Sequence, residues 1–197
     1  MLAVVIVAAA YLRPLFFGDT FALRDQVTWA LPARAFLHDA LRHGRLPEWW
    51  DAVGLGVPFA ANPVNGVVYP PTWIAALVPS AFGSDLLYVL HIAWLALGTS
   101  WLARRLGADR AGGAVAGVAA ALSGFTASAV ADGIPLFALA WMPWVLVAAD
   151  RLARSDGRRA RARAALLLAA LWAAQLLCGA PGAVDSAVVA IAWTLAR

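Results

Sequence analysis

The feature that most constrains this chain is a series of apolar runs separated by short polar segments. A helix needs about 20 mostly apolar residues to cross the hydrocarbon core of a bilayer. Five runs approach that length, and they cover residues 2–17, 86–103, 111–130, 134–149 and 164–180. A sixth run begins near Ser186 and reaches the last residue, Arg197, before it is long enough to span. We therefore expect the chain to stop within a sixth helix and to be the N-terminal part of a longer protein.

Composition indicates the same class. Only 13% of the 197 residues are charged, 63% are hydrophobic, and the mean hydropathy is +0.76. About a quarter of the residues of a soluble globular domain are charged. We predict an all-α integral membrane protein, a polytopic helical bundle with about five or six transmembrane helices. These helices form a single transmembrane domain over residues 1–197.

Arginine distribution predicts the orientation of the bundle. The loops 104–110 and 151–163 are rich in arginine, whereas the short loops around Asp132 and Asp185 contain none. Short loops with excess arginine face the cytoplasm. We expect a multi-pass protein of the cell membrane with both arginine-rich loops inside and the loop 18–84 outside. The first run could instead be a cleaved signal peptide, but it has no basic segment at its start and Arg13-Pro14 interrupts its end.

Charge and cysteine usage exclude other classes. The formal net charge is only +4, and none of the 15 basic residues is a lysine. Because most of the arginines flank apolar runs, we expect the bilayer, and no nucleic acid, as a partner. The single cysteine, Cys178, allows no intrachain disulfide framework and no cysteine-based zinc site. Nothing in the composition indicates an oligomeric state.

The outer loop 18–84 contains a predicted amphipathic helix, about residues 26–43. One face carries apolar side chains at helical spacing, namely Trp29, Ala33, Phe36, Leu37 and Ala40. The opposite face carries Arg34, His38 and Arg42, followed by Arg45. This pattern is typical of a helix that lies on the membrane surface. A helix packed on the bundle is an equally good interpretation, and Gly44 should end it.

The rest of the loop is dense in glycine, proline and tryptophan, which favours turns. The apolar run 72–82 is too short to cross a membrane, so we expect it to be re-entrant or interfacial. Long ordered loops of this kind usually carry the binding or catalytic residues.

Several motifs along the chain resemble those of the bacterial YfhO family. In the loop they are Thr20-Phe21-Ala22-Leu23-Arg24-Asp25, Leu46-Pro47-Glu48-Trp49, Gly54-Leu55-Gly56-Val57-Pro58, Ala61-Asn62-Pro63 and Tyr69-Pro70-Pro71. Ser123-Gly124-Phe125, Trp141-Met142-Pro143 and Gln175-Leu176-Leu177-Cys178-Gly179 continue the resemblance. It implies a GT-C-like membrane glycosyltransferase. Such an enzyme takes sugar from a polyprenyl-phosphate donor on the extracytoplasmic face and modifies a cell-envelope acceptor, with an acidic residue of the first outer loop in catalysis.

Two other functions stay open. The chain reads Trp49-Trp50-Asp51 and Asn62-Pro63-Val64 where the family tends to have Trp-Asn-Pro and Asn-Pro-Gln, and it lacks the histidines usual near Asp132 and before Pro181. These departures favour a non-catalytic envelope-assembly membrane protein. A transporter or channel is the other interpretation. The apolar bundle favours it, but the absence of charged residues deep within the third to fifth runs does not.

Three carboxylates are candidate catalytic residues. A carboxylate can deprotonate the acceptor hydroxyl directly or through a divalent cation. Asp25 is the first candidate, because the resemblance includes Arg24-Asp25, and its structural alternative is an N-cap of the loop helix. Asp19 and Asp132 follow. The only cofactor that we consider is a divalent cation, Mg²⁺ or Mn²⁺, with Asp25 and Asp132 as candidate ligands.

The remaining candidates would bind the polyprenyl-phosphate sugar. Guanidinium groups bind phosphate oxygens bidentately, which makes Arg24 and Arg34 candidates for the donor phosphate. Trp49 and Trp50 could present an apolar face to a sugar ring or an acyl chain, or could anchor the loop at the interface. Asn62 and Tyr69 belong to the motifs of the resemblance and are further candidates. His91, within the second run, is predicted to be a hydrogen-bonded packing residue without a chemical role.

Overall fold

We describe a computed structural model, which covers residue 9 and residues 11–132, 135–178 and 180–195. Its α-helices are α1 (Arg13–Phe17), α2 (Leu31–Arg42), α3 (Pro70–Ala76), α4 (Ser80–Arg105), α5 (Arg110–Ala121), α6 (Gly124–Asp132), α7 (Pro135–Ala153), α8 (Arg158–Cys178) and α9 (Ala180–Leu195). A π-helical turn, Gln26–Ala30, leads into α2, and a 3₁₀ turn, Pro63–Asn65, precedes α3. The strands β1 (Trp49–Trp50) and β2 (Val57–Pro58) pair antiparallel, with Trp49 opposite Pro58.

The fold is that of an all-helical membrane protein, as the sequence predicts. Helices α4, α7 and α8 are long and apolar enough to cross a membrane, and α5 with α6 gives a fourth candidate span that is bent by 41°. Most of the first expected span, residues 2–17, lies outside the described residues. The last expected run forms a shorter apolar helix, Gly182–Trp193. The described part of the chain therefore contains three or four of the five or six predicted spans.

The predicted span over residues 111–130 is bent, because the helix breaks between α5 and α6. Ser123 caps α6, since its Oγ accepts the Thr126 backbone N–H at 3.1 Å. The same hydroxyl donates to Ala120 O at 3.0 Å, and the Thr126 hydroxyl also donates to that carbonyl. Ser-Gly pairs are frequent sites of sharp helix kinks. The Ser123-Gly124 pair therefore ends one helix and begins the next.

The apolar run 72–82, which the sequence predicts to be interfacial or re-entrant, is divided between two helices. Its first half belongs to α3, whereas its last residues form the first turn of α4, which begins at Ser80 immediately after Pro79. A Cβ on Gly83 would lie 2.1 Å from Ala75 O, so α3 packs directly on the beginning of α4. Helix α4 therefore begins within the predicted outer loop 18–84.

Close contact between α4 and α5 depends on two glycines spaced as in a G-x-x-x-G motif. A Cβ on Gly117 would lie 2.5 Å from Ala96 O, and a Cβ on Gly113 would lie 3.0 Å from Ser100 O. Small residues at this spacing let two helix backbones approach within a membrane. The two helices therefore form a tight antiparallel pair whose connection is the arginine-rich loop 104–110.

The outer loop has a hydrophobic core of its own. Leu37 of α2, Trp50 of β1 and Phe59 are buried against one another, with Ala33 and Ala76 beside them. The apolar face predicted for the loop helix is therefore correct, and the helix packs on protein. Gly44 has a φ of 64° just after α2 ends at Arg42, which confirms the predicted stop. The loop thus forms a folded cap on one end of the bundle.

Candidate functional site

Arg24 and Asp132 meet where the outer loop contacts the end of α6. Arg24 Nε lies 3.3 Å from Asp132 Oδ1. Arg24 is exposed and Asp132 is partly buried. Both residues were predicted as site residues from separate parts of the sequence. The structure thus brings one predicted phosphate ligand and one predicted carboxylate into an ion pair.

The backbone at Arg24 is unusual. Its φ is 46°, and within the described part of the chain it is the one residue other than glycine with a positive φ. This left-handed conformation costs an L-residue about 1–2 kcal/mol. Such strain persists only where the surroundings enforce it, and it concentrates at functional sites. The strained residue is thus one member of the ion pair with Asp132.

Gln26 fixes the turn that follows Arg24. Its side chain is fully buried, and its Nε2 donates a hydrogen bond to Val130 O in α6. The π-helical turn begins at Gln26. It is compatible with Pro32, which has no backbone N–H to donate to the preceding turn. Gln26 is two residues from Arg24, and Val130 is two residues from Asp132. The hydrogen bond between Gln26 and Val130 therefore holds the Arg24 and Asp132 segments next to each other.

Asp132 retains capacity for a ligand. Its Oδ1 atom is buried and accepts no hydrogen bond from the residues that the structure describes, although Arg24 Nε is within ion-pair distance. A buried carboxylate oxygen without a hydrogen bond is energetically costly. A hydroxyl or a water entering beside Arg24 would find an acceptor there.

Asp25 and Asp19 lie beside this pair in the chain but have different surroundings. Asp25 is exposed and precedes the π-helical turn, where its side chain makes no capping hydrogen bond. The N-cap alternative for Asp25 is therefore wrong. Asp19 is also exposed, and its Oδ2 lies 2.7 Å from Arg13 Nε.

Among the described residues, no three His, Cys, Asp or Glu side chains come together as ligands for a metal ion.

Arg34 does not lie on an exposed polar face, and this expectation is wrong. The residue is only 8% exposed, and its Nη1 donates to Asn65 O at 2.9 Å. Burial lowers the pKa of the guanidinium. The adjoining cavity, between Trp29, Val64 and Tyr88, has room for about one water molecule. Arg34 holds the Asn65 turn on α2, and a donor phosphate would reach it only if the loop opened.

The two neighbouring tryptophans do not share a face. Successive side chains of a strand point to opposite sides. Trp50 is 4% exposed and stacks on Phe36 with ring centroids 5.7 Å apart, whereas Trp49 is 57% exposed. The Trp49 indole lies against Gly56, where a Cβ would clash with it at 2.3 Å. Only Trp49 is therefore accessible to a ligand, and the expected joint surface is wrong.

Asn62 and Tyr69 occupy structural positions. The Asn62 side chain caps the 3₁₀ turn, because its Oδ1 accepts the Val64 backbone N–H at 3.1 Å. Tyr69 is buried in the bundle core, where its hydroxyl lies 2.7 Å from His91 Nε2 and accepts Trp141 Nε1–H at 3.0 Å. Burial raises the pKa of the Tyr69 phenol. Among the described residues, neither side chain makes a hydrogen bond with Arg24 or Asp132.

His91 is a hydrogen-bonded packing residue, as predicted. Its Nδ1 lies 2.7 Å from Leu87 O, a carbonyl that can only accept, so Nδ1 carries the proton. Nε2 of the neutral ring is then the acceptor for the Tyr69 hydroxyl. Trp141, Tyr69 and His91 thus form a directed chain of hydrogen bonds between α7, the loop and α4.

Two buried polar residues that position the site, Asp85 and Asn65, are not among the residues predicted from the sequence. Asp85 of α4 is 1% exposed and accepts hydrogen bonds from the Thr20 hydroxyl at 3.0 Å and the Phe21 N–H at 3.1 Å. Asn65 accepts Trp29 Nε1–H at 3.0 Å and donates to Phe59 O at 2.9 Å. An acidic residue at the start of an apolar run was a usable signal for Asp85. The Asn-Gly turn at Asn65 was a weaker one.

Comparisons with protein-family models, with curated proteins and with solved structures find no significant match to this chain. The resemblance to the YfhO family therefore stays a prediction, which rests on the motifs alone.

Proposed function

We propose that this membrane protein is a glycosyltransferase that uses a polyprenyl-phosphate-linked sugar on the extracytoplasmic face to modify a cell-envelope acceptor. The observation that supports the proposal is the Arg24–Asp132 ion pair, with Asp25 next to it in the chain. A guanidinium suits the phosphate of the donor, and a neighbouring free carboxylate suits the acceptor hydroxyl. These two functions are what sugar transfer from a lipid phosphate requires.

In this proposal Asp25 is the general base and Asp132 is a positioning residue. Asp132 is engaged with Arg24, whereas Asp25 has no ion pair within 4.0 Å among the described residues. Asp25 takes the proton of the acceptor hydroxyl as that oxygen bonds to the anomeric carbon. The bond from this carbon to the phosphate oxygen breaks, and polyprenyl phosphate leaves with its new negative charge beside Arg24.

A divalent cation could be held by one carboxylate of this site together with the donor phosphate. Mg²⁺ is usually bound by one or two carboxylates together with substrate phosphates and water. Asp25 could supply such a ligand, and the donor phosphate would have to supply others. Trp49, exposed at the hairpin, is the proposed apolar contact for the sugar or the lipid chain.

The test begins with mass-spectrometric analysis of envelope glycans from a deletion strain, which identifies the sugar that is lost. Initial rates of transfer from the matching polyprenyl-phosphate sugar are then measured in membranes that contain wild type, Asp25→Asn, Asp132→Asn or Arg24→Gln at equal expression. Loss of a general base costs about 10²- to 10⁴-fold in rate. We expect that loss for Asp25→Asn, and a raised KM for the donor in Arg24→Gln and Asp132→Asn.

Asp39→Asn is the matched control. Asp39 is an exposed carboxylate of the same loop, and its Oδ2 lies 2.7 Å from Arg45 Nη2, away from Asp132. We expect this variant to keep the wild-type rate. An unchanged glycan profile in the deletion strain, or an Asp25→Asn rate above about a tenth of wild type, would contradict the proposal. Either result would favour the alternative of a non-catalytic envelope-assembly protein.

A further inference from the structure

At the opposite end of the bundle lies an open cleft that the proposed function does not use. It has a volume of about 950 Å³ and lies between α4, the beginning of α5 and α7. Its residues divide into two groups, an apolar wall formed by Leu97, Trp101 and Trp144 and a basic rim that includes Arg104 and Arg110. Ligand sites in proteins have volumes of about 300–1,000 Å³.

The two arginines of the rim have free charge. Neither Arg104 nor Arg110 has a carboxylate within 4.0 Å among the described residues, and both are exposed. Arg105 also borders the cleft, but Asp150 occupies its guanidinium. The one acidic residue of the rim, Asp109, caps α5, because its Oδ1 accepts the Gly112 N–H at 2.7 Å. Asp109 keeps its negative charge while it caps α5, so Arg104 and Arg110 together with Asp109 leave the rim with a net positive charge.

The wall below the rim is apolar and rigid. Leu97 is 55% exposed and Trp101 is 52% exposed. Trp144 stacks on Trp94 with ring centroids 4.2 Å apart, and its Nε1 donates to Trp94 O at 3.1 Å. One face of this indole and its N–H edge are thus held in place, so the wall exists before any ligand arrives. Exposed apolar surface next to a basic rim matches a molecule with a lipid chain and an anionic head.

We propose that this cleft binds an anionic phospholipid, with the headgroup phosphate between Arg104 and Arg110 and an acyl chain along Trp101 and Leu97. Basic pockets between membrane helices on the cytoplasmic side recognise anionic headgroups. A soluble phosphate would use the arginines but not the apolar wall. The proposal is independent of sugar transfer, since it involves the opposite end of the bundle.

The experiment measures lipid binding by native mass spectrometry of the purified chain in a neutral detergent. The probes are phosphatidylglycerol, phosphatidylcholine and water-soluble glycerol phosphate. Each arginine near a membrane surface contributes about fivefold to the affinity for anionic lipid. We expect wild type to prefer phosphatidylglycerol over phosphatidylcholine, and Arg104→Gln/Arg110→Gln to weaken phosphatidylglycerol binding about 30-fold. Glutamine keeps the Cγ methylene of residue 104, which lies nearest to Gly113.

Arg158→Gln/Arg159→Gln is the matched control, because it removes the same charge from exposed residues at the beginning of α8 that do not border the cleft. We expect this control to bind phosphatidylglycerol like wild type. An equal loss in both double variants would overturn the proposal in favour of general surface charge. Equal binding of the two phospholipids by wild type would also overturn it, and so would full competition by glycerol phosphate at equal phosphate concentration.

Discussion

Arg105 binds Asp150 across the two arginine-rich loops, with Nη2 of the arginine 3.1 Å from Oδ2 of the aspartate. Asp150 is at the end of α7 and only 1% exposed, and its other oxygen lies 3.0 Å from Arg154 Nε. This contact puts the loops 104–110 and 151–163 at the same end of the bundle. If every predicted span crosses the membrane, these two loops are expected on the same side, and the contact agrees with this.

We expect Asp150→Asn to destabilise the protein. A buried carboxylate that binds two guanidinium groups leaves them uncompensated when it loses its charge, and breaking a buried pair costs about 3–5 kcal/mol. The partial exposure of both arginines lowers this figure to about 2–3 kcal/mol. The measurement is thermal unfolding in detergent, with Asp156→Asn as control, because Asp156 is exposed in the adjoining turn. Equal melting temperatures for the two variants would show that the Arg105–Asp150 contact contributes nothing.

The substitution Gly117→Ala tests the close packing of α4 and α5. The added Cβ would lie 2.5 Å from Ala96 O, and a backbone atom cannot yield without separating the helices. Overpacking of this kind costs about 1–3 kcal/mol. The control is Gly124→Ala, for which a Cβ meets nothing within 4 Å and alanine is the better helix former. We expect a lower melting temperature only for Gly117→Ala, and Ser100→Ala should not rescue it, because the Ala96 contact persists.

Two substitutions at position 24 distinguish the backbone strain from the contribution of the arginine side chain. Glycine adopts a φ of 46° at little cost, whereas alanine keeps the strain of about 1 kcal/mol. An exposed ion pair contributes only about 0–1 kcal/mol. We therefore expect Arg24→Gly to be at least as stable as wild type and about 1 kcal/mol more stable than Arg24→Ala, as measured by denaturant unfolding. If Arg24→Gly were no more stable than Arg24→Ala, the backbone at this position would not be strained.

Alkaline pH should destabilise the protein through Tyr69. Burial raises the pKa of this phenol above its ordinary value near 10, so the folded state keeps a proton that the unfolded state releases. The stabilisation is complete below about pH 10 and decreases as the pH rises, by up to about 1.4 kcal/mol per pH unit. Unfolding measured at pH 7, 9 and 10.5 (chosen to bracket an ordinary tyrosine pKa of about 10) should show a shallower decrease for Tyr69→Phe.

The same variant removes the donor to His91 and the acceptor for Trp141, which should cost about 1–3 kcal/mol at pH 7. Trp141→Phe serves as the control, because it removes one of these hydrogen bonds and leaves the phenol in place. We expect Trp141→Phe to retain the wild-type pH dependence above pH 9 (a pH just below the ordinary tyrosine pKa of about 10). Identical slopes for Tyr69→Phe and wild type would assign the alkaline sensitivity to other groups.

Cysteine labelling in intact cells tests the predicted orientation. The background is Cys178→Ala, which removes the single buried thiol. Ala52 is exposed next to the hairpin of the outer loop, and Asp156 is exposed in the loop between α7 and α8. A membrane-impermeant maleimide should label Ala52→Cys and should label Asp156→Cys only after the cells are opened. The reverse pattern would invert the topology, and labelling of both positions in intact cells would exclude a simple crossing.

Several features of this protein were determined by local sequence. The apolar runs predict the helices α4, α7 and α8, because a long apolar segment can satisfy its backbone in lipid only as a helix. The spacing of Ala33, Leu37 and Ala40 predicts which face of α2 is buried, and Gly44 predicts where that helix ends. These signals act within a few residues and do not depend on what the segment packs against.

The tertiary structure decided where the polar groups go. Arg34 lies on the polar side of α2 in the sequence pattern, yet it is buried because the Asn65 turn folds over it and supplies a carbonyl acceptor. Arg24 and Asp132 meet because Gln26 fastens the loop to Val130, a contact between segments that no local pattern connects. A buried polar side chain is stable only beside a matching partner. Since that partner comes from a distant part of the chain, helix periodicity could predict the buried apolar faces but not the ion pair at the candidate site.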